Sequence, residues 1–256
     1  MSEQAMLNAD KAAGVAPGLV HGVGLGPGAL DLLSVRADRL VRTARHVAYF
    51  RKTGRPGRAR AIVNGLLRAD VIEHALEYPL TTEVPFSDPA YNAALAAFYE
   101  DSVERLQTLS LAGEEVVVLC EGDPFFYGSF MHLYTRLRLR QLPVQVVPGI
   151  TGMSAAWTVS GQPITWGDDM LTVLVATLPE DELCRRLQGT EALVVMKVGR
   201  NLAKLKRALA AAGRAADAWV VECATMAEQS VRRLDEVTEA LPYFSIVLIH
   251  GQGRRP

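Results

Sequence analysis

The stretch Leu19-Val-His-Gly-Val-Gly-Leu-Gly-Pro-Gly28 decides how the chain is read, because a short apolar strand runs directly into alternating glycines. Glycine lets the backbone approach a ligand closely, and the N-terminus of a following helix attracts anions. Residues 24–29 also satisfy the G-x-G-x-x-G/A pattern of dinucleotide-binding turns. Pro27 opposes that interpretation, since proline removes an amide that would face pyrophosphate. A tight strand–helix turn without a ligand is the plainer alternative.

Strand-like and helix-like segments alternate along the rest of the chain. Strands are predicted at 19–25, 46–50, 71–76, 114–120, 143–147, 171–176, 192–196, 218–222, 231–234 and 245–250. Helices are predicted at 30–44, 59–67, 88–111 with Asp88 as its cap, 125–141, 151–160, 179–187 and 202–212. This alternation predicts an α/β protein with an N-terminal α/β domain at 18–147, a C-terminal α/β domain at 148–256 and a disordered tail at 1–17.

Two further turns follow predicted strands. Glu121-Gly-Asp-Pro-Phe-Phe-Tyr-Gly128 comes after the most apolar strand, and Val147-Pro-Gly-Ile-Thr-Gly-Met-Ser154 comes after the next. Ligands of open α/β sheets bind beyond the carboxyl ends of strands, where Asp123 would accept hydrogen bonds from a ribose or an amine. The plainer alternatives are an Asp-Pro turn with core aromatics and a helix cap at Thr151. Three such turns in one chain favour a ligand cleft.

The charge of the chain is balanced overall but not along its length. The net charge is −1, with 27 Lys and Arg against 28 Asp and Glu, which argues against a general nucleic-acid binder. Between Arg36 and Arg68, however, ten basic residues are opposed by Asp38 alone, so this basic block carries +9 and the remainder −10. It includes the run Arg51-Lys-Thr-Gly-Arg-Pro-Gly-Arg-Ala-Arg60, which is either a solvated loop or a mobile surface for carboxylates or phosphates.

Composition excludes several other classes. With 49% apolar and 21% charged residues the chain has enough material for a core, so a fully disordered protein is excluded. The three cysteines are widely spaced without a CxxC pair, and no HExxH occurs, so neither a disulfide framework nor a metal site is expected. The first residues lack a signal-peptide pattern, and no apolar stretch is long enough to span a bilayer. We therefore expect a cytoplasmic protein.

Taken in order, these motifs resemble those of the tetrapyrrole (corrin/porphyrin) methyltransferases that use S-adenosylmethionine. The resemblance covers about residues 19–251 and includes the three turns, Val194–Asn201 and Val221–Gln229. Tyr49-Phe50 with the following basic loop, Ala59–Ile62, Tyr78–Pro85 and Gly122–Phe130 are most similar to the members that methylate C20 of precorrin-2 to precorrin-3A in cobalamin biosynthesis. The resemblance implies two α/β domains with the active site in the cleft between them, and usually a homodimer.

The resemblance also implies roles for single residues. S-adenosylmethionine would be bound by Pro27, Glu121, Gly122, Asp123, Phe126, Thr151, Gly152, Met196 and Ala224, with S-adenosylhomocysteine as product. The chain departs from the family at three places, where Glu121-Gly-Asp-Pro stands for GGDP, Thr151-Gly152 for T-A, and Glu222-Cys-Ala-Thr225 for E-x-G-T. The tetrapyrrole substrate carries multiple carboxylates, and we expect Arg51, Lys52, Arg55 and Arg58 to bind them. No His/Asp or paired-carboxylate arrangement identifies a catalytic base, which is left unassigned.

Three alternatives stay open at the level of sequence. The substrate is either precorrin-2, its cobalt-loaded form, or a corrinoid methylated at another ring position. An NADP-dependent oxidoreductase would account for residues 24–29 together with Arg51-Lys52. A non-catalytic module that binds anions or RNA would account for the basic loop, although few aromatic residues interleave with its arginines.

Overall fold

The computed structural model describes residues 15–79 and 89–253, which form two compact units. The N-terminal unit contains the described residues up to Leu25 and those from Leu33 to Gly149. The C-terminal unit contains Gly26–Leu32 and the described residues from Ile150 onward. A seven-residue segment of the first glycine turn therefore belongs to the C-terminal unit. No feature of the sequence indicated this assignment. Most of the predicted tail lies outside the described residues. The predicted cap Asp88 and all but the first two residues of Tyr78–Pro85 also lie outside them.

The N-terminal unit is built on a five-stranded parallel sheet with the order β3-β2-β4-β1-β5. Its strands are β1 (Val20–Gly24), β2 (His46–Lys52), β3 (Ile72–Tyr78), β4 (Val116–Cys120) and β5 (Val144–Val147). Its helices are α1 (Val35–Thr43), α2 (Arg58–Ile62), α3 (Pro89–Leu111) and α4 (Phe130–Leu139). The strand β4 is buried along its whole length, as expected for a β-branched run in the middle of a sheet with apolar clusters on both faces.

The C-terminal unit holds a second five-stranded sheet, with the order β6-β7-β10-β8-β9. Its strands are β6 (Leu171–Val175), β7 (Ala192–Met196), β8 (Ala218–Glu222), β9 (Ser230–Arg233) and β10 (Ser245–Ile249), and its α-helices are α5 (Gly152–Val159), α6 (Glu180–Arg186) and α7 (Leu202–Ala211). β6 and β7 are parallel, whereas β10 is antiparallel to β7 and β8, and β9 is antiparallel to β8. The ends of β7 and β8 therefore lie beside the start of β10.

The predicted α/β class is confirmed, and every predicted strand is present with bounds shifted by at most two residues. Three predicted helices are shorter than expected, and the one predicted at 59–67 ends at Ile62. The helix expected at 30–44 is a 3-10 turn at Leu30–Leu32 followed by α1, because Ser34 caps α1 by accepting the Ala37 N–H at 3.2 Å. The helix expected at 125–141 begins only at Phe130, since the preceding residues form the turn after β4.

None of the helices in the described ranges 15–79 and 89–253 is both long enough and apolar enough to cross a membrane. The longest of them, α3, spans 23 residues and contains four charged side chains near its middle, at residues 100–105.

Candidate functional site

Three glycines meet at the carboxyl edge of the N-terminal sheet. Gly24 ends β1, Gly122 follows β4 and Gly149 follows β5, and these three strands are neighbours in the sheet. A Cβ atom added at Gly24 would lie 2.6 Å from the Gly149 nitrogen and 2.7 Å from the Gly122 oxygen. The backbones thus approach more closely than any residue with a side chain allows. The sequence predicts a close approach of the backbone to a ligand at these turns, whereas the structure shows a close approach of the three backbone segments to one another.

Asp123 holds two of these turns together. Its Oδ2 accepts a hydrogen bond from the Gly149 N–H at 3.0 Å, and its Oδ1 accepts one from the Phe125 N–H at 2.8 Å. Each carboxylate oxygen retains a further lone pair, because an ionised carboxylate can accept about four hydrogen bonds. Asp123 therefore organises the edge, in addition to the ligand contact that the resemblance implies for it.

Glu121 points toward the basic loop. Its carboxyl lies near the start of α2, where the Ala59 N–H and the charge of Arg58 both favour the ionised form. Burial raises the pKa of this carboxyl, and these two neighbours oppose the shift in part. Since the side chain is engaged with α2, the backbone of Glu121 is the part that remains for a ligand at the end of β4.

Aromatic side chains surround the turn after β4. Phe126 is half-buried, whereas Phe125 and Tyr127 are 47% and 44% exposed. Phe126 and Tyr127 meet edge to face with ring centroids 4.8 Å apart, and Phe125 makes the same kind of contact with Tyr134. Tyr127 has a φ of 55°, a left-handed conformation that is uncommon for a residue with a large side chain. Such outliers are enriched at functional sites.

Five of the ten basic residues of the basic block form ion pairs. Arg51 lies opposite Glu77 in the pairing of β2 with β3 and donates to its Oε1 from Nε and Nη2 at 2.8 and 2.5 Å. Four more of its cations form ion pairs, which are Arg42 with Asp38, Arg45 with Glu114, Arg60 with Glu73 and Arg68 with Asp70. The pKa of Glu73 is lowered mainly by its hydrogen bond from Arg60. Most of the partners come from sequence outside the block, which is why the linear count missed them.

Three of the four predicted substrate-binding cations are exposed to solvent, namely Lys52, Arg55 and Arg58. Lys52 and Arg55 form no ion pair within the described part of the chain. The Arg55 N–H donates to the Lys52 carbonyl at 3.0 Å, so both residues belong to one tight turn. The structure thus brings these cations together at the carboxyl end of β2, while Arg51 is committed to Glu77.

In the C-terminal unit, three predicted cofactor positions pack around one buried cluster. Met196 at the end of β7 and Ala224 after β8 pack against a cluster that includes Ile246. A Cβ atom at Gly152 would lie 3.7 Å from the Ile246 Cδ1, an ordinary contact. Thr151 caps α5, and its Oγ1 accepts the Ser154 N–H at 3.3 Å. These residues gather where β7 and β8 end and β10 begins.

The segment Gly26–Leu32 contacts the turn that follows β8. The Ala29 N–H donates to the Thr225 Oγ1 at 3.3 Å, next to Ala224 in the chain. The structure thereby brings the turn that contains Pro27 to the turn that contains Ala224, two positions that are remote in sequence.

Sequence reasoning missed several residues of these turns. Lys197, Cys223 and Thr225 have φ values of 56°, 46° and 69°, although none of them is glycine. Burial also lowers the pKa of Lys197. Left-handed residues are usually glycine, asparagine or aspartate, so the sequence carried no signal for these three conformations.

With this geometry in place, comparison with known proteins identifies the family. The family model for tetrapyrrole (corrin/porphyrin) methylases matches residues 19–238. The chain belongs to this family. As a tetrapyrrole methylase it falls in a class that uses S-adenosylmethionine as methyl donor. The NADP-dependent oxidoreductase is therefore not needed to account for the glycine turn at residues 24–29.

Three relatives within the family show which of its members the chain is similar to. The chain is 50% identical to precorrin-2 C(20)-methyltransferase of Sinorhizobium sp. over 95% of this chain and 99% of that protein. It is 43% identical to the cobalamin biosynthesis protein CobIJ of Mycobacterium tuberculosis over 94% of this chain but 47% of that protein, so it matches about half of CobIJ. It is 30% identical to cobalt-precorrin-2 C(20)-methyltransferase of Salmonella typhimurium over 92% of this chain and 97% of that protein.

Solved structures support the fold. Uroporphyrin-III C-methyl transferase of Thermus thermophilus, complexed with S-adenosylhomocysteine, superposes with a TM-score of 0.66 at 23% identity, covering 91% of this chain and 92% of that chain. Cobalt precorrin-4 methyltransferase gives a TM-score of 0.66 at 20% identity, covering 91% and 94%. The tetrapyrrole-methylase fold expected from the sequence is thus confirmed.

The residues present fit S-adenosylmethionine. In the N-terminal unit, Gly24 and Gly149 pack backbone against backbone, which brings the ends of β1, β4 and β5 close together. Asp123 retains acceptor capacity for polar groups, and Met196 and Ala224 offer small or soft apolar surfaces.

Proposed function

We propose that this protein transfers a methyl group from S-adenosylmethionine to C20 of precorrin-2 and so forms precorrin-3A in cobalamin biosynthesis. The observation that carries the proposal is the match at 50% identity to a precorrin-2 C(20)-methyltransferase over nearly the full length of both chains. The three strand-end turns and the residues around them fall inside that match.

The metal-free substrate is favoured over the cobalt-loaded one. The relative named for precorrin-2 is 50% identical, whereas the relative named for cobalt-precorrin-2 is 30% identical, with similar coverage of this chain. A cobalt-precorrin-2 C20-methyltransferase is therefore the second candidate.

For the cofactor we propose the positions that the family resemblance implied. In the N-terminal unit these are the backbone at Glu121 and Gly122, the Asp123 carboxylate and the Phe126 ring. In the C-terminal unit they are Pro27, Thr151, Gly152, Met196 and Ala224. When bound, the sulfonium of S-adenosylmethionine supplies an activated methyl group, so the protein has to supply orientation.

Rigid turns are the means by which this chain supplies that orientation. Asp123 fixes the ends of β4 and β5 relative to each other through two backbone N–H groups. Positioning of reacting atoms depends on supports of this kind, because small displacements at a reacting centre are costly in rate.

For the tetrapyrrole carboxylates we propose the exposed cations of the loop after β2. Lys52, Arg55 and Arg58 are exposed, and an Arg guanidinium forms paired hydrogen bonds with a carboxylate. Arg51 contributes indirectly, since its ion pair with Glu77 fixes the end of β2 from which the loop departs.

The proposal includes a homodimeric, cytoplasmic enzyme, as the family resemblance implies. Size-exclusion chromatography with light scattering measures the mass in solution directly. A mass near twice the 27.8 kDa of the chain supports the dimer, and a mass near 27.8 kDa contradicts it.

The activity test uses purified protein with S-adenosylmethionine and either metal-free or cobalt-loaded precorrin-2 under anaerobic conditions. We expect the metal-free substrate to gain the mass of one methyl group and to change its absorption spectrum, with a lower rate on the cobalt form. A faster reaction with the cobalt form would favour the second candidate. No mass gain with either substrate would contradict both.

A further inference from the structure

The segment Gly26–Leu32 is held by specific contacts within the C-terminal unit. The Ala29 N–H donates to the Thr225 Oγ1 at 3.3 Å. Gly28 has a φ of 145° and lies against Met226, so that a Cβ atom there would be 2.5 Å from the Met226 Cε. Pro27 stands between Gly26 and Gly28, and its position therefore follows from how this segment docks.

The turn that receives the segment is itself held in an uncommon conformation. Cys223 and Thr225 both have positive φ, with Ala224 between them. The Cys223 N–H donates to the Phe244 carbonyl at 2.7 Å, and the Met226 N–H donates to the Cys223 carbonyl at 2.9 Å. The Thr225 N–H donates to the Gln229 Oε1 at 2.8 Å. These bonds hold the backbone of the turn from which the Thr225 side chain departs.

We propose that Thr225 is a positioning residue for cofactor binding, whose hydroxyl holds the turn that carries Pro27 and is itself set by Gln229. The proposal rests on the proposed use of S-adenosylmethionine. Thr225 acts through its neighbours. Its hydroxyl accepts the N–H of Ala29, which lies two residues after Pro27. Its backbone is bonded directly to Ala224, so the conformation of Thr225 also sets the position of Ala224. A single residue thus coordinates two proposed cofactor contacts that are about 200 residues apart in sequence.

The direct test is Thr225→Val, which keeps the shape of the side chain and removes the hydroxyl, compared with Thr225→Ser, which keeps the hydroxyl. Binding of S-adenosylhomocysteine is measured by titration calorimetry, which needs no turnover. We expect Thr225→Val to weaken binding about fivefold, the range of one hydrogen bond, and Thr225→Ser to bind within twofold of the wild type.

Steady-state kinetics separate positioning from general damage. For Thr225→Val we expect the KM for S-adenosylmethionine to rise about fivefold. We expect the KM for the tetrapyrrole and kcat at saturating cofactor to stay within twofold. Thr238→Val is the control, because Thr238 lies on the surface of the same unit and its hydroxyl bonds only to the neighbouring Glu239 among the described contacts.

Gln229→Ala provides a second route to the same conclusion. Gln229 is exposed, so its truncation leaves the core intact, but it removes the acceptor of the Thr225 N–H. We expect a two- to threefold loss of S-adenosylhomocysteine affinity. This variant decides the question if Thr225→Val fails to fold.

Three results would overturn the proposal. They are wild-type affinity in both Thr225→Val and Gln229→Ala, an equal rise in the KM for both substrates, and failure of Thr225→Ser to restore binding. By contrast, a wild-type protein that does not bind S-adenosylhomocysteine at all would contradict the proposed function itself, and the two failures are therefore distinguishable.

Discussion

The two units build their strand-end turns by different means. In the N-terminal unit, Gly24, Gly122 and Gly149 let three backbone segments come together, and the Asp123 carboxylate ties the turn after β4 to the turn after β5. In the C-terminal unit, Lys197 and Thr225 take left-handed conformations without the help of glycine. The N-terminal edge depends on the absence of side chains at three glycines, with one left-handed residue, Tyr127, in the turn after β4. The turns of the C-terminal unit instead hold several residues with side chains in left-handed geometry.

Because of this difference, the strand-end turns of the two units should tolerate different amino-acid substitutions. A left-handed residue other than glycine costs about 1–2 kcal/mol, which surrounding hydrogen bonds must offset. Where backbones touch, by contrast, any side chain is excluded whatever its chemistry. We therefore expect the N-terminal edge to tolerate no added atoms, and the C-terminal edge to tolerate replacement by glycine.

The largest effect is expected for Gly149→Ala. Its Cβ atom would overlap the Gly122 carbonyl oxygen and lie 2.9 Å from the Gly24 Cα, so the strand ends must separate. We expect a loss of about 3 kcal/mol in the free energy of unfolding and of most S-adenosylhomocysteine affinity. Chemical denaturation and calorimetry measure the two quantities.

Gly152→Ala is the matched substitution for stability in the C-terminal unit, because its nearest neighbour is 3.7 Å away and α5 begins there. Its free energy of unfolding should stay within about 1 kcal/mol of the wild type. Equal destabilisation by both substitutions would show that the N-terminal edge is not specially crowded.

A smaller effect is expected at Asp123. Asp123→Ala leaves the Gly149 and Phe125 N–H groups without their acceptor, which should cost about 2 kcal/mol in the free energy of unfolding. Asp123→Asn retains one acceptor oxygen and should lose about half as much. If denaturation curves of both variants coincide with the wild type, Asp123 does not organise this edge.

Charge reversal in the basic loop tests whether the N-terminal unit also contacts the substrate. Reversing both charges in Lys52→Glu/Arg55→Glu should raise the KM for the tetrapyrrole about tenfold at low ionic strength, with a smaller effect at high salt. Arg39→Glu/Arg138→Glu changes the net charge equally at exposed positions on α1 and α4. A similar rise in KM for both double variants would point to overall charge instead of the loop.

The smallest effect is expected at Lys197 in the C-terminal unit. Lys197→Gly removes the left-handed strain but makes the unfolded chain more flexible, so the free energy of unfolding should stay level or rise by up to about 1 kcal/mol. The exposed Ala203→Gly in α7, where glycine has no such advantage, should lose about 1 kcal/mol. Equal losses at the two positions would argue against strain at Lys197.

Much of the fold was predictable because it follows from local patterns. The buried run of β4 and the glycine turn after β1 carry strong sequence signals, and both lie where they were expected. Periodicity does not give the direction of strand pairing, however, and so the antiparallel placement of β10 between β7 and β8 was not predicted. The transfer of Gly26–Leu32 to the C-terminal unit depends on tertiary contacts such as Ala29 with Thr225.

The candidate site was predictable where glycine or proline marked it. Gly122 and Gly149 could be read from the sequence, whereas the pairing of Arg51 with Glu77 could not, because it depends on the register of β2 and β3. The +9 of the basic block overstated the charge available to a substrate for the same reason. Linear counting omits partners such as Glu73 and Glu77 that the fold brings beside it.

The central claim is methylation at C20, and the position of a labelled methyl group tests it most directly. Metal-free precorrin-2 is incubated with the protein and S-adenosylmethionine that carries carbon-13 in its methyl group, and the product is examined by carbon NMR. We expect a single labelled methyl group attached to C20. A label on any other ring carbon, or no transfer while the protein binds S-adenosylhomocysteine normally, would contradict it.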